Sequence, residues 1–173
     1  MADQFSDAVQ DVVVDHIEES HPVEVEAKCS ADLFYGMFKE DMTQLTNHFP
    51  QYFKSVEILE GDGKTVGTVK LWKYALPGHP ADEEFTVKET VTKVDDENRS
   101  ITYSVLEGSC LLNTYKDFAV TVSVTPKEGA EDSECIVRWC FDLAKEHDGV
   151  PHPHPYMELV DFISKELGSI LPN

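Results

Sequence analysis

Tyr156-Met157-Glu158-Leu159-Val160-Asp161-Phe162-Ile163-Ser164-Lys165-Glu166-Leu167-Gly168-Ser169-Ile170, residues 156–170 of a chain of 173, decides the fold. Tyr156, Val160, Ile163, Leu167 and Ile170 recur at helical steps while Asp161, Lys165 and Glu166 face away, so the stretch is an amphipathic helix. Pro151, Pro153 and Pro155 bound it on one side and Pro172 on the other. Between Tyr52 and Leu143 the hydrophobic period is two instead, which places strands near 53–60, 67–75, 84–95, 100–107, 113–125 and 135–143. The connectors carry turn chemistry: Gly61-Asp62-Gly63, Leu76-Pro77-Gly78-His79-Pro80, Asp95-Asp96-Glu97-Asn98, Glu107-Gly108-Ser109 and Pro126-Lys127-Glu128-Gly129.

Towards the N-terminus, Val23, Val25 and Ala27 alternate with Glu24, Glu26 and Lys28 after Pro22, as a half-buried strand requires. Ser30 offers an N-cap to a short helix over 31–38, with Asp32 near its positive end, and a second short helix fits Met42 to His48 before Pro50. Phe5, Ala8, Val9, Val12, Val13 and Ile17 fit a helical stripe, whereas Val12-Val13-Val14 fits a strand equally well. Residues 1–17 are therefore read as an N-terminal extension and 18–173 as one domain, a size that a single core can fill. The order is strand, two short helices, six strands, one long helix. This is an α+β helix-grip arrangement: a curved antiparallel sheet of seven strands whose concave face the long helix covers, with a cavity between them.

Composition narrows the function. With 14 Lys plus Arg against 33 Asp plus Glu the formal charge is −19, which repels nucleic acid phosphates and anionic headgroups alike. A hydrophobic share of 41% and an aromatic share of 10% fit a globular core and exclude a disordered chain. No apolar run approaches the roughly 20 residues that span a bilayer. Cys29, Cys110, Cys135 and Cys140 form no CxxC pair, and the start Met1-Ala2-Asp3-Gln4 has no basic or apolar leader, so a reduced, cytoplasmic protein is expected.

The element order, the loop Glu60-Gly61-Asp62-Gly63-Lys64-Thr65-Val66-Gly67-Thr68-Val69-Lys70, the stretch Tyr103-Ser104-Val105-Leu106-Glu107-Gly108 and the closing helix resemble the birch-pollen-allergen (pathogenesis-related class ten, START-like) superfamily of plants. Cys29-Ser30-Ala31-Asp32-Leu33-Phe34-Tyr35 and Leu59-Glu60-Gly61-Asp62-Gly63-Lys64 are most similar to the major latex proteins within it. The resemblance covers about residues 22–171 and implies a pocket for a small hydrophobic ligand such as a sterol, flavonoid, alkaloid or hormone-like molecule. It also implies a defence-related role.

Alternation along the strands names the expected lining. By resemblance the face carrying Lys70, Trp72 and Tyr74 points inward, with Phe85, Val87, Glu89, Ile101, Tyr103, Val105, Phe118, Val120, Val122, Val137, Trp139 and Phe141 on partner faces. Tyr156, Val160 and Ile163 come from the helix roof, and Leu76 and Pro77 form a candidate gate. Such a surface is mostly apolar with a few polar points, as small-molecule sites are, or it is simply a filled core. Lys70 either anchors a ligand carboxylate or hydroxyl or serves acid-base chemistry, or else it pairs with an inward acid such as Glu89 or reaches solvent at the cavity mouth. Tyr103 is a second candidate hydrogen-bonding group.

Other patterns are weaker. The glycines of 61–67 invite a phosphate-loop reading, but the loop joins two strands and lacks the GK[ST] ending, so a rigid hairpin is favoured. His152 and His154, near Glu146, His147 and Asp148, read as a solvated loop because extended proline-fixed backbone turns the two rings apart, and no metal or cofactor is expected. Cys135 and Cys140 are five apart on one strand, hence on opposite faces.

Three function classes follow. Hormone receptors of the superfamily have a gate similar to Ala75-Leu76-Pro77-Gly78, yet their latch falls on Cys110-Leu111-Leu112 and their carboxylate-holding lysine on Pro50. The tyrosine and acid of norcoclaurine synthase fall on Cys110 and Leu112, which argues against that condensation. The reading favoured is a plant carrier of a small hydrophobic metabolite, monomeric or weakly dimeric, that binds no nucleic acid and inserts in no membrane. The alternative is an isomerase or cyclase of plant specialised (alkaloid) metabolism using the same cavity.

Overall fold

The computed structural model describes residues 18–80, 82–108, 115–145, 147, 149–150 and 152–171. Strand β1 (Glu19–Ala27) leads into helix α1 (Ala31–Glu40), a 3-10 turn (Met42–Gln44) and the single-turn helix α2 (Leu45–His48). Strands β2 (Phe53–Glu60), β3 (Val69–Tyr74), β4 (Phe85–Asp95), β5 (Ser100–Gly108), β6 (Tyr115–Pro126) and β7 (Cys135–Lys145) follow, and helix α3 (His154–Ile170) closes the order. Among the described residues these seven strands form one antiparallel sheet ordered β1-β7-β6-β5-β4-β3-β2. The expected extension over 1–17 lies outside the described residues, as do Cys110, Leu111, Leu112, Glu146, Asp148, Pro151 and Pro172.

Register shifts between Phe53 and Ser55, Ile58 and Glu60, Lys88 and Glu89, Val91 and Lys93, and Tyr115 and Asp117 interrupt the ladders. Such bulges bend and twist a sheet, and here they accompany its concave shape. Helix α1 starts where expected, with Ser30 Oγ accepting from the Leu33 N–H at 3.3 Å. The helix is tied to the β4–β5 turn by three side-chain bonds. Tyr35 Oη and Lys39 Nζ donate to Asp96 at 2.7 and 2.8 Å, and Arg99 Nε donates to Asp32 at 2.8 Å.

Four details differ from the sequence reading. Strand β1 begins at Glu19, three residues before Pro22; it is an edge strand, where a missing N–H does not break the sheet. The expected helix over 42–48 is split, because Asp41 accepts from Thr43 Oγ1 at 2.5 Å and from Gln44 Nε2 at 2.9 Å. These local bonds compete with a continuous helical ladder. Helix α3 starts at His154, with Pro155 in its first turn, where no N–H is needed. Ile170, placed on the buried stripe by its spacing, is 41% exposed, because the buried face of α3 runs through Leu159, Val160, Ile163, Ser164, Leu167 and Gly168.

That face docks α3 on the sheet. Gly168 packs so closely on the chain leaving β1 that an added Cβ would lie 2.4 Å from the Lys28 backbone nitrogen. Trp139 Nε1 of β7 donates to Ser164 Oγ at 2.8 Å, both side chains being buried. Phe162, on the flank of the helix, stacks edge-on against Phe49 and Tyr52 at ring separations of 6.0 and 5.7 Å.

The Gly168 contact makes a direct prediction. Gly168→Ala must push α3 off β1, so it lowers stability by about 1–3 kcal/mol despite alanine's better helix propensity. A lower urea midpoint with an unchanged m-value is the expected result. An unchanged or higher midpoint shows that the helix does not rest on β1 through this glycine.

Candidate functional site

The inner faces of β3 to β7 converge beneath α3 on a cavity of about 130 Å³. Its lining is Trp72 and Tyr74 from β3, Val87 and Glu89 from β4, Tyr103 and Val105 from β5, Phe118 and Val120 from β6, and Trp139 and Phe141 from β7. Tyr156, Leu159, Val160 and Ile163 of α3 form the roof, and Phe38, Met42, Leu45 and Phe53 complete the wall. The structure thus brings together thirteen of the side chains expected at the site: Trp72, Tyr74, Val87, Glu89, Tyr103, Val105, Phe118, Val120, Trp139, Phe141, Tyr156, Val160 and Ile163.

The remaining expected residues sit elsewhere. Lys70, Phe85, Ile101, Val122 and Val137 are buried but do not line the cavity. Phe85 packs against Tyr74 at 5.7 Å and His79 at 5.3 Å. Leu76 is buried in the core and Pro77 is half-buried beside it, so the bend at 76–77 is anchored rather than standing clear of the protein.

The wall residues that sequence alone left out are Phe38, Met42, Leu45, Phe53 and Leu159. Phe34, Phe38, Met42 and Leu45 fall at steps of three and four, so the signal of a common apolar face was there. Period alone does not say that this face completes the sheet's cavity.

One end of the cavity is polar. Glu89 and Lys70 are direct cross-strand partners on β4 and β3. Glu89 Oε1 accepts from Trp72 Nε1 at 2.6 Å, and Lys70 Nζ lies 3.8 Å from Met42 Sδ and 5.9 Å from the centroid of the Tyr103 ring. Loss of hydration raises the Glu89 carboxyl above its ordinary pKa, opposed by the Lys70 charge and the Trp72 N–H. Loss of hydration also lowers the Lys70 ammonium, opposed by Glu89. Tyr103 Oη is buried with no hydrogen-bond partner among the described residues, and its own pKa is driven up by burial and by Glu89. On the far wall Tyr74 and Tyr156 share a hydroxyl–hydroxyl bond of 2.6 Å that joins β3 to the lid helix.

Such a site can hold an apolar body and address one polar group on it. A carboxylate that is costly to ionise and a phenol without a partner are also groups that can exchange a proton with a guest. The volume sets the scale: about 130 Å³ is near the roughly 150 Å³ of a dry apolar cavity that takes a benzene ring. It is well below the roughly 300–1,000 Å³ of sites for drug-sized ligands.

The family model described as "Pathogenesis-related protein Bet v 1 family" matches residues 16–173. MLP-like protein 34 of Arabidopsis thaliana is 36% identical over 86% of this chain, a match that spans only 45% of that protein. MLP-like protein 43 of Arabidopsis thaliana is 39% identical over 83% of this chain and 87% of its own length. Among solved structures, ginseng major latex-like protein 151 from Panax ginseng superposes with a TM-score of 0.80 over 90% of this chain and 98% of its own, at 22% identity. Norcoclaurine synthase from Thalictrum flavum superposes with a TM-score of 0.66 over 90% of this chain and 89% of its own, also at 22% identity. At these identities the two structures speak to the fold alone.

The glycine loop between β2 and β3 is a separate matter. Its backbone donors already have an anion: Asp62 Oδ1 accepts from the N–H groups of Lys64 and Thr65 at 2.8 and 2.9 Å and from Thr65 Oγ1 at 3.0 Å. Gly61 and Gly63 hold φ of +84° and +87°, and a Cβ on Gly61 would lie 3.0 Å from Thr68 Cα. The loop is a hairpin closed on its own carboxylate, with those donors committed internally.

Those bonds hold the Asp62 carboxyl at a pKa of about 2, below its unfolded value of roughly 4. Because the folded pKa is the lower one, the loop's contribution to stability is complete above about pH 4 and is lost as pH falls through about 2. The Lys64 and Thr65 amide resonances are expected to shift with a midpoint near pH 2. A midpoint near 4 shows that Asp62 does not close the loop.

Proposed function

Because the chain belongs to the pathogenesis-related protein Bet v 1 family, whose fold binds small hydrophobic ligands, we propose that it binds and carries a compact hydrophobic metabolite of the plant cell. The observation that carries this reading is the apolar cavity under α3 with its single polar end. At about 130 Å³ the cavity suits a single-ring aromatic or a molecule of that bulk better than a sterol or flavonoid, which requires α3 or the neighbouring walls to move outward. Affinity comes from apolar burial, at roughly 25 cal/mol per Å² removed from water. Tyr103 Oη and Glu89 orient the guest through one hydroxyl or amine, while Lys70, the cross-strand partner of Glu89, balances its charge.

The formal charge of −19 accords with a partner that is neither nucleic acid nor an anionic membrane. Among the described residues no helix is long and apolar enough to cross a membrane. A cytoplasmic location and a part in defence belong to this proposal.

The second reading is an isomerase or cyclase of specialised metabolism. It is favoured by Glu89 and Tyr103, two groups with raised proton affinity facing one cavity. Here Glu89 is the proton carrier, and Lys70 is a positioning residue that sets its charge.

The readings are separated by binding and turnover measured together. Phenol is expected to displace a fluorescent apolar dye from the wild type, and Val120→Phe, which fills the cavity, to abolish both uptake and displacement. Tyr103→Phe is expected to weaken phenol about two- to tenfold while leaving toluene unchanged, the span of one hydrogen bond. If no single-ring compound binds the wild type, or if Val120→Phe binds as well, the cavity is not the site. Turnover of a bound alkaloid precursor that Glu89→Gln abolishes without loss of binding makes the protein an enzyme.

A further inference from the structure

Outside the cavity, a second constellation lies at the start of β1. Glu19 and His21 are two residues apart on that strand, hence on the same face, and that face continues inward through Val23, Val25 and Ala27. At this end of the sheet, where Glu19 and His21 pair with Leu143 and Phe141 of β7, the segment entering α3 crosses over and sets His152 against them. His21 Nε2 and His152 Nδ1 both approach one carboxylate oxygen, Glu19 Oε1, at 2.9 and 3.3 Å. The two imidazole rings are 4.8 Å apart, and all three ligand atoms lie within 4.8 Å of one another. From sequence His152 and His154 read as a solvated loop with their rings turned apart; the fold instead sets the two rings 5.8 Å from each other and gives His152 a carboxylate and an imidazole from the other end of the chain.

We propose that Glu19, His21 and His152 form a binding site for a divalent transition ion of the zinc class, separate from the ligand cavity. Two neutral imidazoles and one carboxylate are a donor set that binds zinc in proteins, with a further position left to water. Tetrahedral zinc at about 2.0–2.1 Å from each donor sets the donor atoms roughly 3.3–3.5 Å apart. The two oxygen–nitrogen separations are already close to this, so only the two imidazoles have to close, by turning about side-chain bonds. Lys145 Nζ sits 3.4 Å from the other oxygen, Glu19 Oε2, which leaves Oε1 as the single oxygen offered to the rings. Nitrogen donors favour zinc, copper or nickel over calcium or magnesium, which take oxygen. A bound ion would join β1 to the segment that carries the lid helix, and so would stabilise the closed fold.

The test is calorimetric titration of the full chain, freed of metal with a chelator, with Zn²⁺ alone. The expected result is saturation at one ion per chain, with affinity at least about tenfold weaker in both His21→Ala and His152→Ala. His79→Ala, at an exposed histidine on another loop, is expected to bind as the wild type does. Ca²⁺ and Mg²⁺ do not compete. The melting temperature of the wild type rises with Zn²⁺, and that of His152→Ala does not. Imidazole resonances of His21 and His152 shifting on Zn²⁺ addition to the wild type serve the same purpose should a variant fold poorly. Absence of saturable binding, binding that survives both histidine variants, or binding that His79→Ala removes overturns the proposal; in the first case the three side chains are a hydrogen-bonded cluster only.

Discussion

A concave sheet with aromatic residues on its inner face can be kept from water only by an element long enough to cross it, and α3 is that element. Its seat depends on a close approach that a side chain would prevent, since Gly168 lies directly on the backbone leaving β1. The Trp139–Ser164 bond sets its rotation, and the Tyr74–Tyr156 hydroxyl pair fixes the end nearest β3. With the helix held at both ends, the space beneath its middle is determined by the bulk of the rings on either side. Rings stand off from each other where small side chains would let helix and sheet collapse, and a void of single-ring size remains.

Polar groups in that interior are few and arranged against one another. Lys70 and Glu89 face each other across β3 and β4, so each reduces the cost of keeping the other away from water. Trp72 bonds to the carboxylate, and Tyr103 contributes its ring face to the ammonium while its hydroxyl has no partner among the described residues. Buried polar groups are nearly always satisfied, so an orphan phenol at the edge of a void marks the point where a guest's polar group adds most. The outer surface shows the opposite balance, with acids in large excess, and two of its ion pairs, Lys39–Asp96 and Arg99–Asp32, fasten α1 to the β4–β5 turn.

Much of this was legible residue by residue. Alternation in 67–75 put Lys70, Trp72 and Tyr74 on one face, and all three are buried together. Ser30 announced the start of α1 and Pro50 the end of α2, because capping and proline chemistry act over a few residues. The readings that went astray needed distant partners. Pro22 looked like a strand boundary until β1 proved to be an edge, Ile170 looked buried until the docked face of α3 was known, and Phe38, Met42 and Leu45 gave no sign that they wall a cavity.

The amino-acid order by itself determined the element types, which side chains share a strand face, the acidic surface and the helix that had to cover the sheet. These follow from hydrophobic period, turn chemistry and charge, which are properties of neighbours along the chain. Only the tertiary structure decided that the void is of single-ring size, that Lys70 is buried outside its lining, and that His152 meets Glu19 and His21. Volumes and long-range pairings depend on how far each ring and backbone can approach another, and that distance is set by contacts between residues far apart in sequence.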